Sequence, residues 1–220
     1  MQATRQASVP VEDDDGLVLP WWYSWWRVAL MTVAATLAAV GGFVLLAKAH
    51  QPGAGSVDAG FLQDMRAHHD QAVEMGLLYM NRPGVNPLLS TMAGEVVTGQ
   101  SQEIGIMVEM LSSRHLEEEN STGTAMSWMG PGMSAPSNAM PGMATAAQLD
   151  ELQSASGPAA DDLFVKLMTA HHQGGIHMAE VAASKAESAE VRQLANAMAT
   201  NQRTEITEMA TALAKSKSAA

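Results

Sequence analysis

The chain's most reactive vocabulary is two pairs of adjacent histidines, His68-His69 and His171-His172, each set in the same surroundings. Phe61, Met65, His68, His69 and Met75 return as Phe164, Met168, His171, His172 and Met178, an offset of 103 positions (171 − 68). Agreement at residues this uncommon marks an internal repeat. On a helix, Met65 lies three and four residues before the two imidazoles, so one thioether and two imidazoles share a face. Met168, His171 and His172 do the same. These residues fall within apolar stripes, which predicts that the imidazoles are buried. A buried imidazole with an unpaired nitrogen costs about 1–3 kcal/mol, so four of them in one core require compensation.

Two forms of compensation fit the sequence. In one, the histidines bond to each other and to Gln100, Glu103, Gln202 and Glu205. These belong to a second repeated phrase, Gln-x-x-Glu-Ile-x-x-Met, at 100–107 and 202–209. In the other, the histidines hold a metal and the Gln and Glu side chains fix their tautomers. Imidazole and thioether donors without thiolate suit a soft monovalent ion such as Cu(I), with Ag(I) as its mimic. His177 lies about 120° round the helix from His171 and is either a surface residue or a ligand at the rim. Gly174 and Gly175 inside a helix predict a close approach by a neighbouring helix.

Other chemistries lack their signatures. No Glu stands three residues before a His, as di-iron bundles require. His-Glu-x-x-His is absent, and so is a Gly-rich phosphate loop. The expected function is therefore binding rather than enzymatic turnover. There is no cysteine, which excludes thiolate sites and disulfides, and the formal net charge of −11 argues against nucleic acid as a partner. Seventeen methionines are an excess, and methionine serves both as core filler and as soft ligand.

The elements that position these residues are helical. Apolar spacing predicts a first helix from Asp58, read as its N-cap, to Arg82-Pro83-Gly84, and a second over about 86–114. A third, over about 160–185, carries the second histidine pair, and a fourth runs over about 188–214. Residues 116–157, rich in Met, Gly, Pro and Ser, lack apolar periodicity and predict a mobile loop with no strand, closed by a short helix at about 145–155. Its methionines could collect copper or simply link the hairpins. The repeating unit is a helical hairpin, so residues 58–215 predict an all-α, four-helix bundle.

Upstream, residues 1–27 are polar, with an acidic run at 12–15 and a tryptophan cluster at 21–26. Residues 28–47 carry no charge, and as a helix they would span about 30 Å. This predicts a single transmembrane helix with tryptophans at the interface. Ala47-Lys48-Ala49 resembles a cleavage site, but the acidic tail is a poor signal-peptide start, which favours an uncleaved anchor. Residues 48–57 would be a linker. Arg5 and Arg27 place the N-terminus in the cytoplasm and the bundle outside the bacterial cytoplasmic membrane. Association with further copies of the chain is left open.

Phe-x-x-x-Met-x-x-His-His, the run His-His-Gln-Gly-Gly-Ile-His-Met-Ala and the Gln-x-x-Glu-Ile-x-x-Met helices resemble the bacterial family called domain of unknown function 305. The resemblance covers about residues 56–214. It implies a ferritin-like bundle outside the cytoplasmic membrane and, from some members, copper binding. By position it implies Met65, His68, His69, Met75, Met168, His171, His172 and Met178 as ligands.

Overall fold

The computed structural model describes residues 25–49, 53 and 56–218. The acidic run, the tail before Trp25 and half of the expected linker lie outside the described residues. Helix α1, Trp25–Ala49, belongs to a compact unit of its own. Its stretch Trp25–Leu46 has a mean hydropathy of 2.2 and none of it is buried, so it is long and apolar enough to cross a membrane.

The second unit, from Gln51 onward, is mostly helical. Its long helices are α2 (Val57–Met80), α3 (Pro87–Ser113), α5 (Gly157–Lys185) and α6 (Ala189–Ser218), with a short α4 at Ala146–Ser154. α2 pairs with α3 and α5 with α6 as hairpins, and the hairpins meet through α2 against α5 and α3 against α6. One apolar cluster contains Phe61, Met65, Met178, Ala182 and Met198. The other contains Met75, Tyr79, Phe164, Met168 and Met209. The clusters pair the start of α2 with the end of α5 and the reverse, so these helices run antiparallel. Along both helices the histidine pairs fall between the two clusters.

Local chemistry sets the helix starts, with one correction to the sequence reading. Ser56, not Asp58, caps α2, its hydroxyl accepting from the Ala59 amide at 3.1 Å. Asp58 is fully buried, and its carboxylate accepts from the Glu187 and Ser188 amides at 2.7 and 2.8 Å, at the start of α6. Its repeat mate Asp161 accepts from the Asn86 amide at 3.0 Å, at the start of α3, and from the Tyr79 hydroxyl at 2.6 Å. Each hairpin's first helix thus caps the other hairpin's second helix. The negative charge also meets the positive end of the helix dipole.

The expectation of a structureless tract at 116–157 is also corrected. Thr124–Ala125 (β1) and Ala135–Pro136 (β2) form a small antiparallel ribbon, with Ala125 opposite Ala135. Tight helical turns follow each strand, at Ser127–Met129 and Ser137–Ala139. Met126, Met129 and Met140 are buried in the first apolar cluster. Three anchors spaced irregularly along a turn-rich segment have no period to detect. Asp64 holds the segment, accepting from the Met126 amide at 2.6 Å and from the Trp128 indole at 2.8 Å. The short helix at its end is α4, begun by a capping box between Thr145 and Gln148.

Candidate metal centre

The four imidazoles are 0–1% exposed and form a polar layer between apolar clusters. His68 and His171 stack, with centroids 3.8 Å apart and planes at 29°. Every Nε2 has an acceptor. His69 donates to Glu103 Oε2 at 2.8 Å and His172 to Glu205 Oε2 at 2.7 Å. His171 donates to the His68 carbonyl at 2.9 Å and His68 to the Pro141 carbonyl at 3.2 Å. Carbonyl and carboxylate oxygens only accept, so the proton of each ring sits on Nε2. Each Nδ1 is then a bare lone pair, and none of the four has a hydrogen-bond partner among the described residues. Tautomer and ring orientation are fixed from behind and a nitrogen donor is left in front, as second partners do for metal-binding histidines.

Burial keeps His68 and His171 neutral. Burial pushes His68 down to about 3, helped by His69 and then by His172, while the bond to the Pro141 carbonyl opposes the shift. Burial likewise holds His171 well below its ordinary value, followed by the neighbouring His68, His172 and His69. Neutral imidazole is the form that ligates metal. Glu103 and Glu205 keep partial contact with solvent, at 16% and 27% exposure of their side chains.

The other predicted site residues divide by position. Met65 and Met178 are fully buried in the cluster on one side of the histidines, Met75 and Met168 in the cluster on the other. Gln100 and Gln202 are buried; both polar atoms of Gln100 and Oε1 of Gln202 lack partners among the described residues. His177 is exposed on α5 and stands apart from the layer, because its helical position faces away from α2. Among the described residues no three His, Asp or Glu side chains converge on one point. These side chains therefore do not form a cage of hard ligands among the described residues.

Residues that the histidine motif does not signal complete the site. Gly174 makes room for the Pro141 carbonyl, and Gly142 for the backbone at Ala170, so at Gly174 the closeness is between helix and loop, while at Gly175 it is between helices, α5 and α6. Gly175 makes room for the Gln202 side chain, where a Cβ would stand 2.5 Å from Oε1. Gln71, beside the first histidine pair, binds the Ala144 carbonyl at 2.9 Å and the Ala144 amide at 2.7 Å. The sequence traces of these contacts are the adjacent glycines Gly174 and Gly175 inside a helix and the disagreement between the repeats at Gln71 and Gly174.

The model of the family described as "Domain of unknown function (DUF305)" matches residues 58–213. No curated protein matches the chain. Among solved structures, a secreted-protein candidate of the same family from Streptomyces coelicolor is 36% identical, with a TM-score of 0.67; the match covers 74% of this chain and 95% of that one. A DUF305 fragment from Deinococcus radiodurans is 24% identical, with a TM-score of 0.61, covering 72% of this chain and 96% of its own. CopM in its Cu(I)-bound form shares the fold at 23% identity and a TM-score of 0.54, covering 70% of this chain and 93% of that one. The repeated histidine phrases, the helical hairpins that carry them and the extent of the match make this chain a member of the DUF305 family.

Proposed function

We propose that this protein is a membrane-anchored, extracytoplasmic Cu(I)-binding protein that sequesters or passes on the ion without catalytic turnover. In this reading the DUF305 domain is a ferritin-like four-helix bundle and α1 is its single-pass anchor. The observation that carries the proposal is the set of four buried Nδ1 lone pairs, each with its Nε2 proton engaged elsewhere. Leaving four such atoms unpaired costs about 1–3 kcal/mol each, and a bound ion removes that cost. Thioethers flank the nitrogens and thiolates are absent, a donor set that suits a soft monovalent ion. His68, His69, His171 and His172 would supply nitrogen, and Met65, Met75, Met168 and Met178 sulfur. The Cu(I)-bound state of CopM, a protein of the same fold, lends the reading further support.

The test is an anaerobic Cu(I) competition titration of the full chain in detergent against a chromophoric chelator. Wild type should bind one or a few equivalents tightly, and the double variant His68→Ala, His171→Ala should lose that affinity. Undiminished affinity in the double variant would overturn the site. The competing reading is a structural module of the cell envelope whose polar layer only orders the core. It is favoured by the lack, among the described residues, of any point where three histidine or carboxylate side chains converge. It requires a melting temperature indifferent to Cu(I), whereas a ligand bound only by the folded state raises it.

A further inference from the structure

All four imidazoles are sealed from solvent, so an ion that reaches them must displace part of the protein. The helices are poor candidates for that movement. They are packed along their length and tied at both ends of the layer by buried Asp58 and Asp161. The segment from Met126 to Ala144 is held differently. It crosses the layer at Pro141-Gly142; Met126, Met129 and Met140 anchor it at isolated points of the apolar cluster, and its polar attachments are few. Asp64 takes the Met126 amide and the Trp128 indole, Lys185 reaches the Met129 carbonyl at 2.8 Å, and Gln71 grips Ala144. At the crossing, the Pro141 carbonyl is the acceptor of the His68 Nε2 proton.

The repeat identifies what these attachments are for. At an offset of 103, Gly60 corresponds to Leu163, Asp64 to Leu167 and Gln71 to Gly174. Each of these departures serves the segment, which exists only once. Gly60 seats the Trp128 ring, Asp64 and Gln71 hold the segment at two points, and Gly174 lets the Pro141 carbonyl down onto the helix. The histidines and methionines stay matched while the residues beneath the segment diverge. The bonds of His68 and His171 diverge too, since His171 uses a helix carbonyl and His68 a carbonyl of the segment.

We infer that residues 126–144 are a strap that controls access to the histidine layer, latched by Asp64 and Gln71 and seated on Gly174. A soft cation enters and leaves when the strap lifts at Pro141, which uncovers the Nε2 edge of His68. A cavity of about 120 Å³ lined by Met92, Glu95, Val96, Glu205, Glu208 and Met209 borders Glu205 and none of the four histidines. It is the rival route, and it would make the strap irrelevant to access. The inference rests on the metal-binding reading for its cargo, but not for its test.

Gly174→Ala places a methyl group where the Pro141 carbonyl sits, and Asp64→Asn weakens the other end of the strap without touching the saddle. Both variants are made in the full chain in detergent. Deuterium exchange at the amides of 126–144 reports whether the strap has loosened. Carbethoxylation of His68 and His171 by diethyl pyrocarbonate, mapped by mass spectrometry, reports exposure of the layer without any metal. Cu(I) transfer from a chromophoric chelator reports access by the cargo. The expected result in both variants is faster strap exchange with carbethoxylation faster by roughly tenfold or more, and in Asp64→Asn, which leaves the Pro141 carbonyl in place, Cu(I) transfer faster to the same degree with little change in equilibrium affinity. Faster strap exchange with wild-type carbethoxylation would overturn the strap, and so would strap exchange unchanged in both variants. If wild type binds no Cu(I), the metal-binding reading fails while carbethoxylation still decides whether the strap covers the layer.

Discussion

His69 and His172 differ from their neighbours in what stands behind them. Each gives its Nε2 proton to a carboxylate that still touches solvent, while His68 and His171 give theirs to backbone carbonyls. A carboxylate raises the basicity of the ring and holds its orientation, and losing such a partner costs 10–100-fold in metal affinity in general. Glu205→Gln keeps the shape and an acceptor oxygen but removes the charge. Cu(I) affinity should fall by roughly tenfold or more, and Glu103→Gln should match it, both read by chelator competition. An unchanged affinity would mean that the second histidine of each pair donates nothing to the ion. The Met-x-x-His-His phrase and the spacing of Glu103 and Glu205 were readable as residues. The role of Gln71, Gly142 and Gly174 was not, because it depends on contacts between loop and helix that lie 28 to 73 positions apart in sequence (170 − 142 to 144 − 71).

At the scale of elements, the two hairpins are joined by an exchange of helix caps. Asp161 satisfies the Asn86 amide and the Tyr79 hydroxyl at the start of α3, and Asp58 does the like for α6. Asp161→Ala leaves the buried Tyr79 hydroxyl and the part-buried Asn86 amide unpaired. It should lower stability by on the order of 3 kcal/mol, and the melting temperature by roughly 6–12 °C. Asp58→Ala should do about the same, and thermal unfolding followed by circular dichroism measures both. A loss under about 1 kcal/mol would show that water replaces the carboxylate at no cost. Helix existence was legible from apolar spacing. The assignment of Asp58 as a local cap was not, since Asp next to a helix start looks the same whether it caps its own helix or a distant one.

For the molecule as a whole, the sealed layer makes stability depend on pH. Histidine in an unfolded chain titrates near 6.5, whereas His68 in the fold is pushed down to about 3 and His171 lies well below its ordinary value. Between those limits unfolding takes up protons, so the contribution is fully present above about pH 6.5 and is lost as the pH falls toward the folded value. The loss from these two residues should approach about 1.4 kcal/mol per pH unit for each histidine. Urea midpoints at pH 7, 5.5 and 4.5 would read it. Stability that does not fall across that window would show that the fold does not hold these rings neutral. Competition between protons and metal at His68 and His171 is correspondingly deferred to well below pH 6.

Period and repetition are local properties, and the features that depend on them alone were determined by the sequence itself. These are the long helices, the hairpin as repeating unit, the histidine and methionine phrases on apolar faces, and an apolar N-terminal helix of membrane length. The tertiary structure decided which nitrogen of each ring is bare, because that depends on acceptors brought from α3, α6, the facing helix and the loop. It also turned an aperiodic Met/Gly/Pro tract into a packed cover, since a segment anchored at isolated points needs no period. His177 shows the same limit at the level of one side chain. Its chemistry matched the site, and only the packing of α5 against α2 turned it to solvent.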